Sequence, residues 1–336
     1  MRLTVISMAT AIFLWSCAAP AIQTQAEVET EAKSAAEAVP ASAATPTDQA
    51  DSASPPPLMR WPDLTERPLP QPTSTHAYGS GAAQVADLWL PDGAGPHPVV
   101  LMVHGGCWQK AIADRTLMNY AAEDLRQRGL AVWNIEYRGV DEAGGGYPGT
   151  FTDVSDAANA LLTMGPDLGL DTDRISAFGH SAGGHLAAWL ATQYNLDPQS
   201  KVYTGHVIGF QMVVISGGLA DLETSLSVTP ATCLAQIADQ LTGPADAIRP
   251  DVFSDTSPAR LLPADARFIS VNGEKDRIAP PRLGQAFTTA VRQAGGSADY
   301  LEIADSGHVE LIAPGTAAFE AQAEQLRQSL TPKGTP

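Results

Sequence analysis

The stretch AFGHSAGGH, residues 177–185, places one serine among glycines and histidines. Gly179, Ser181 and Gly183 match the pattern G-x-S-x-G, which is typical of a nucleophilic serine at a sharp turn from a strand into a helix. A side chain two positions before or after the serine would clash there, so both positions favour glycine. The helix that follows brings its positive end close to developing negative charge. The pattern therefore predicts that Ser181 attacks a carbonyl group.

The histidines beside this serine look like candidate bases, but we interpret them differently. Neighbouring side chains on a tight turn point in different directions, so His180 and His185 are expected to pack or hydrogen-bond within the fold. His104 is expected to brace its own loop. The sequence has no cluster of His, Cys and Asp with metal-ligand spacing, so we expect neither a metal nor a cofactor. The remaining histidines are expected at the surface: His76, His97 and His206.

A catalytic serine needs a base, and the base needs a carboxylate to orient it. Two loops that follow predicted strands supply these groups: NGEKDRIAP offers Asp276, with Glu274 as the alternative acid, and ADSGHVELI offers His308. Catalytic groups of parallel sheets lie beyond the carboxyl ends of the strands, and both loops are placed there. We therefore predict that Asp276 orients His308 and that His308 activates the serine.

The segment HGGCW, residues 104–108, follows a buried strand pattern and could bind an oxyanion. The tetrahedral intermediate of acyl transfer needs preorganised backbone N–H donors, and glycines let the backbone approach the substrate. The predicted oxyanion hole comprises Gly105, Gly106, Cys107 and Ala182, with the amides of Gly106 or Cys107 and of Ala182 as donors. A tight turn is the alternative interpretation of the glycine pair.

Strand and helix patterns alternate from residue 75 onward, which predicts a mainly parallel sheet with helices on both faces, an α/β fold. Apolar–polar alternation indicates an edge strand, whereas continuous apolar runs indicate buried strands. The predicted strands lie near 83–91, 97–106, 130–138, 174–181, 207–217, 267–273 and 298–304. The predicted helices lie near 114–128, 151–164, 182–194, 281–294 and 315–329.

One stretch, residues 219–263, interrupts this alternation. It contains several prolines and a helix-like run near 231–242. We interpret it as a small cap inserted after a strand, and we expect it to influence the choice of substrate.

The amino terminus has the features of an export signal. An apolar run of eleven residues, 5–15, follows Arg2 and is too short to span a bilayer. Leu14–Cys17 resembles a lipobox, so residues 1–17 are predicted to be a signal peptide with Cys17 as the lipidated residue. Ordinary cleavage near residues 19–21 is the alternative. Residues 18–57 are rich in Ala, Pro and Thr and predict a disordered tether, followed by a catalytic domain over 58–336.

Charge and cysteine content limit the partners of the protein. The net charge of −17 would repel nucleic acid and anionic lipid, so neither is expected to bind. Beyond the predicted leader the cysteines are Cys107 and Cys233. Export permits a disulfide between them, and two separate buried thiols are the alternative.

Several segments together resemble one family. In chain order HGGCW, YRGVDEAGGGYPGTFTDV, GHSAGGH, NGEKDRIAP and GHVELI resemble the α/β-hydrolase branch that contains kynurenine formamidase-like and feruloyl or acetyl esterase-like carboxylesterases. The resemblance covers residues 75–330. It implies an acylated serine at Ser181, a triad completed by Asp276 and His308, and an oxyanion hole in the HGG loop.

The same resemblance suggests where the substrate pocket lies. The loop GGGYPG, residues 144–149, is similar to a segment near the active-site mouth of such enzymes. Tyr147 is therefore a candidate pocket residue, and a flexible loop is the alternative interpretation. Trp108, in the segment HGGCW, is a second candidate pocket residue.

The predicted activity is hydrolysis of a small-molecule carboxylic ester or activated amide through an acyl-enzyme. Aryl-formamide hydrolysis is an alternative, although it fits poorly with export because tryptophan breakdown is intracellular. An exported exopeptidase is another alternative. A non-catalytic binding protein with this fold is the last, and such proteins usually lose a member of the triad.

Overall fold

The fold is organised around one sheet whose central strands follow the continuous apolar runs of the sequence. The computed structural model describes residues 57–229, 231 and 233–331. Within them the strands are β1 (Ser74–Ala77), β2 (Val85–Trp89), β3 (His97–Val103), β4 (Ala131–Ile135), β5 (Leu170–His180), β6 (Met212–Ser216), β7 (Arg267–Gly273) and β8 (Ala298–Ile303). The predicted leader, including Cys17, and the linker up to residue 56 lie outside the described residues.

The strands form an eight-stranded sheet in the order β1-β2-β4-β3-β5-β6-β7-β8. From β4 to β8 every neighbouring pair is parallel, whereas β2 runs antiparallel to both β1 and β4. All residues of β4 and β6 are buried, as expected for strands covered on both faces. The predicted α/β fold with a mainly parallel sheet is confirmed.

Helices cover both faces of the sheet. They are α1 (Trp61–Thr65), α2 (Asn119–Gln127), α3 (Gly149–Met164), α4 (Ala182–Thr192), α5 (Leu222–Val228), α6 (Cys233–Thr242), α7 (Pro281–Gln293) and α8 (Ala317–Leu330). Short 3-10 turns lie at Arg115–Met118, Pro166–Leu168, Gln193–Asn195, Pro258–Arg260 and Glu310–Ile312. In the described part of the chain, every helix is too short or too polar to cross a membrane.

Two apolar cores result, one on each side of the sheet. Phe151 of α3, Leu186 of α4 and Phe287 of α7 pack into the first. Leu125 of α2 and Phe319 of α8 pack into the second. Because the central strands are held from both sides, the loops at their carboxyl ends start from fixed positions.

Three elements were not predicted from the sequence: α1, β1 and α5. β1 has four residues of alternating exposure, and backbone pairing such as Ser74 with Leu88 places it rather than an apolar pattern. α1 has five residues, and the Asp63 carboxylate caps it by accepting a hydrogen bond from the Arg60 amide at 2.7 Å. Elements this short carry too few apolar positions to show a period.

Candidate active site

Ser181 lies at the turn between β5, which ends at His180, and α4, which begins at Ala182. Its backbone adopts φ 54° and ψ −119°, a conformation that L-residues rarely take. Close packing explains the flanking glycines. A Cβ on Gly179 would lie 2.1 Å from the carbonyl oxygen of Gly183, and one on Gly183 would lie 2.1 Å from that of Val103. The local geometry is the strained strand-to-helix turn that the pattern predicts.

The loops after β7 and β8 bring the predicted acid and base together. Nδ1 of His308 donates to Oδ2 of Asp276 at 2.6 Å, and both residues are at least 90% buried. The other oxygen of Asp276 accepts from the amides of Ile278 and Ala279 at 2.8 and 2.9 Å, which fixes the carboxylate. With Nδ1 occupied, Nε2 of His308 is the nitrogen left to accept a proton.

His308 and Ser181 line the same cavity. Among the described residues no hydrogen bond joins the serine hydroxyl to the imidazole. Such bonds are often long in enzymes without substrate and shorten in the complex. The structure therefore brings together the three side chains predicted as a triad, with the acid–base contact already made.

The alternative acid, Glu274, lies elsewhere. Its carboxylate is exposed and accepts a hydrogen bond from the Asp305 amide at 3.1 Å. Asp305 has a positive φ of 51° and forms an ion pair with Lys275. Both carboxylates thus shape the surface of their loops, and Asp276 is the acid in contact with His308.

The predicted oxyanion loop has an unusual backbone. Gly106, Cys107 and Trp108 all have positive φ, at 108°, 54° and 54°. Gly105 lets this loop approach the serine turn, since a Cβ there would lie 2.9 Å from Nδ1 of His180. Within the described residues, the amides of Gly106 and Cys107 have no hydrogen-bond acceptor. The Ala182 amide opens α4, where an N–H has no partner inside the helix. All three amides are available to a ligand.

A buried charged residue that sequence analysis did not single out, Glu136, holds this loop from behind. Nε2 of His104 donates to Glu136 at 2.8 Å, and Nζ of Lys110 donates to it at 2.9 Å. Burial by itself would raise the pKa of Glu136, but His104 and Lys110 outweigh burial and lower it to about 2. The hydroxyl of Tyr137 donates to the His104 carbonyl at 3.0 Å. One carboxylate thereby ties together both ends of the loop that carries the predicted donors.

The two histidines near Ser181, His180 and His185, are buried in the fold. Nε2 of His180 donates to the backbone carbonyl of His308 at 3.1 Å, and the two ring centroids lie 4.4 Å apart. Burial, and then the neighbouring His308, lower the pKa of His180 well below its usual value, so this ring is neutral. His185 is buried with a pKa lowered by burial to about 4. Neither is placed to act as the base.

The two candidate pocket residues lie away from the cavity over Ser181. The Trp108 indole is 1% exposed and donates to Nδ1 of His185 at 3.2 Å, because the backbone turns this side chain into the core. Tyr147 lines a separate cavity of about 430 Å³. There its hydroxyl donates to Asp255 at 2.9 Å and its ring packs under the Arg249 guanidinium.

Of the two alternatives for the cysteines, the structure shows the disulfide. Cys107 in the predicted oxyanion loop and Cys233 at the start of α6 form a disulfide across 126 positions of sequence. A cross-link that closes so long a loop stabilises a fold by roughly 2–4 kcal/mol, largely through the unfolded chain. The same bond removes Cys107 as a thiol nucleophile and links the loop to the 219–263 insertion.

The insertion at 219–263, which we expected to influence the choice of substrate, does not line the cavity over Ser181 with its described residues. The cavity over Ser181 has a volume of about 320 Å³, and none of its lining residues comes from the described part of 219–263. The insertion packs beside α4 instead, where Nε2 of His185 donates to the Thr256 carbonyl and Nε1 of Trp189 to that of Asp255, both at 2.8 Å. Trp61 and Thr65 of α1 line the cavity.

The described residues contain no group of three or more His, Cys, Asp and Glu side chains able to hold a metal ion.

The parallel sheet, the helices on both faces and the serine turn between β5 and α4 define an α/β-hydrolase fold. Solved structures share it: esterase B from Lactobacillus rhamnosis (TM-score 0.63, 21% identity) and a bacterial heroin esterase (TM-score 0.60, 23% identity). Each alignment covers 77% of this chain, and 86% and 84% of the respective neighbours.

The chain belongs to the BD-FAE family, whose model matches residues 86–291. Among curated relatives, esterase LipC of Mycobacterium tuberculosis is 28% identical over 69% of this chain, and esterase LipQ of the same organism is 26% identical over 78%. The matched region spans 58% and 63% of these two relatives. The segment that contains α1 and β1 precedes the family match.

Proposed function

We propose that the protein is a serine hydrolase that cleaves carboxylic esters. The observation that carries the proposal is the contact of Asp276 with His308, because His308 lines the same cavity as Ser181. The strained turn at Ser181 and the three available amides add the nucleophile and the oxyanion donors that acyl transfer needs. The esterase names of the LipC and LipQ relatives agree with it.

The reaction follows from these positions. Nε2 of His308 takes the hydroxyl proton as Oγ of Ser181 bonds to the ester carbonyl carbon. The oxygen of the tetrahedral intermediate accepts hydrogen bonds from the amides of Gly106 or Cys107 and of Ala182. As the bond to the alcohol oxygen breaks, His308 returns the proton to that oxygen. A water molecule, deprotonated by His308, then attacks the acyl carbon, and His308 returns the proton to Oγ of Ser181 as the acid leaves.

A covalent probe tests the nucleophile directly. We expect a fluorophosphonate to add once per chain, at Ser181, because only an activated serine attacks phosphorus at a useful rate. Intact-mass and peptide mass spectrometry measure the stoichiometry and the position. The Ser181→Ala protein and the unfolded parent are expected to remain unlabelled. Labelling of a different serine in the folded protein would contradict the proposed site.

We further propose that the protein is exported and anchored through a lipid on Cys17. The apolar run before this residue supports export, and so does the Cys107–Cys233 disulfide, since disulfides persist in oxidising compartments. Cell fractionation tests the anchor: the parent is expected in the membrane fraction and Cys17→Ala outside it, with Ser16→Ala as the matched control. A parent found only in soluble fractions would overturn the lipid anchor.

A further inference from the structure

Two openings meet at His308, and they differ in chemistry. The first is the cavity of about 320 Å³ over Ser181. Its lining carries no Asp, Glu, Lys or Arg among the described residues, and its outer walls are mainly apolar. Those walls are formed by Trp61, Thr65, Ile112, Ala113, Leu117 and Ile278. Ligand pockets range from about 300 to 1,000 Å³, so this one suits a small uncharged group.

The second opening is a wider groove of about 830 Å³ on the other side of Trp61. It runs past the loop 274–278 and contains the charged side chains of Arg60, Glu274, Lys275 and Arg277. Trp61, Ile278 and His308 line both openings, whereas Ser181 lines only the first one. The Trp61 side chain therefore lies on the boundary between an apolar space and a polar one.

The proposed reaction decides which part of an ester enters each space. The acyl carbon bonds to Ser181, and its oxygen points at the amides of Gly106 and Cys107. These three residues line the cavity and not the groove. The leaving oxygen receives its proton from His308, which borders both. The acyl group therefore occupies the cavity, and the alcohol departs through the groove.

Contacts with the rest of the fold fix the position of α1 and therefore of Trp61. The Met59 amide before it donates to Oε1 of Glu310 at 2.5 Å, and the Tyr120 hydroxyl donates to the Thr65 carbonyl at 3.2 Å. Leu64, within the same helix, is fully buried in the core. The Trp61 ring itself stands edge-on to the His308 ring, with centroids 6.3 Å apart.

We propose that Trp61, which precedes the region matched by the family model, is a specificity-determining residue of this protein. It closes an acyl pocket for short, uncharged, apolar acyl groups and separates that pocket from a polar groove that takes the alcohol. The inference rests on the proposed esterase function and assigns the two sides of its substrate.

The test is a series of p-nitrophenyl esters from acetate to decanoate. In the parent, kcat/KM is expected to fall between butyrate and decanoate. In Trp61→Ala the decanoate-to-butyrate ratio of kcat/KM is expected to rise about tenfold or more, because a hydrophobic wall discriminates by about 10- to 200-fold per group. Tyr203→Ala, which truncates another half-exposed aromatic residue, is the control and should leave the ratio unchanged.

A second variant, Ile112→Trp, is expected to change this ratio in the opposite direction. Its interpretation does not depend on whether α1 stays folded. Ile112 is 55% exposed, so Ile112→Trp can enlarge its side chain into the cavity without disturbing the core. It is expected to lower the decanoate-to-butyrate ratio of kcat/KM. The relative rates for butyrate esters of methanol, butanol and octanol should stay within about twofold of those of the parent. If Ile112→Trp instead changed the relative rates of the alcohol series and left the acyl ratio unchanged, the alcohol would occupy the cavity. That result would overturn the proposal.

The outcomes separate this inference from the proposed function. If the parent hydrolyses these esters and Ser181→Ala does not, yet neither Trp61→Ala nor Ile112→Trp moves the acyl ratio, only the role of Trp61 is refuted. If the parent shows no hydrolysis that depends on Ser181, both proposals fall.

Discussion

Replacing Ser181 with alanine is expected to lower kcat/KM for p-nitrophenyl acetate by about four orders of magnitude or more. The substitution removes the atom that bonds to the acyl group, while the oxyanion donors and the acyl pocket remain. Steady-state kinetics of the purified proteins measures the effect. Alanine adopts the positive φ of this position no less readily than serine, so the free energy of unfolding should change by less than about 1 kcal/mol.

A matched substitution separates catalysis from folding. Ser270 lies in β7, is 1% exposed, and its hydroxyl has no hydrogen-bond partner among the described residues. Ser270→Ala makes the same chemical change in a buried strand of the same sheet and should keep kcat/KM within about twofold. A Ser181→Ala protein that folds and retains more than a tenth of the parent activity would refute the nucleophile.

The serine turn and the acid–base pair could be predicted because each depends on a local pattern. The end of the strand, the serine and the start of the helix are adjacent in sequence, and the steric need for glycine acts over two residues. The loops with Asp276 and His308 follow neighbouring parallel strands, β7 and β8, so their meeting is a consequence of the sheet.

The support behind the site was harder to predict. Glu136 did leave a signal, since a carboxylate at the end of the buried run LAVWNIEYR needs a partner. Its partners, His104 and Lys110, come from a loop more than 25 residues away, and no sequence period encodes that contact. The pairing of Cys107 with Cys233 was left open for the same reason, because chain distance does not define proximity.

The wall formed by α1 was missed for a different reason. The helix is five residues long and amphipathic periods need several turns to be recognised. The insertion at 219–263, by contrast, was conspicuous in sequence and was expected to influence the choice of substrate. The structure instead uses it to brace α4 and to hold Cys107, so a prominent insertion and a pocket wall need not coincide.

Asp276→Asn is expected to lower kcat by about four orders of magnitude at neutral pH while KM changes little. The asparagine oxygen can still accept from the amides of Ile278 and Ala279, so the loop should keep its shape. The amide nitrogen, however, can only donate to Nδ1 of His308. That contact would place the ring proton on Nε2, where the base must be unprotonated to receive the proton of Ser181.

Glu274, the alternative acid, supplies the control for this prediction. Glu274→Gln neutralises a carboxylate two positions away whose contact is the Asp305 amide at the surface, so kcat should stay within about threefold. Steady-state kinetics of the two variants therefore decides between the carboxylates. A large loss in Glu274→Gln with near-parent activity in Asp276→Asn would mean that the 2.6 Å contact of Asp276 with His308 does not orient the base. The catalytic mechanism proposed for this cavity would then need another acid.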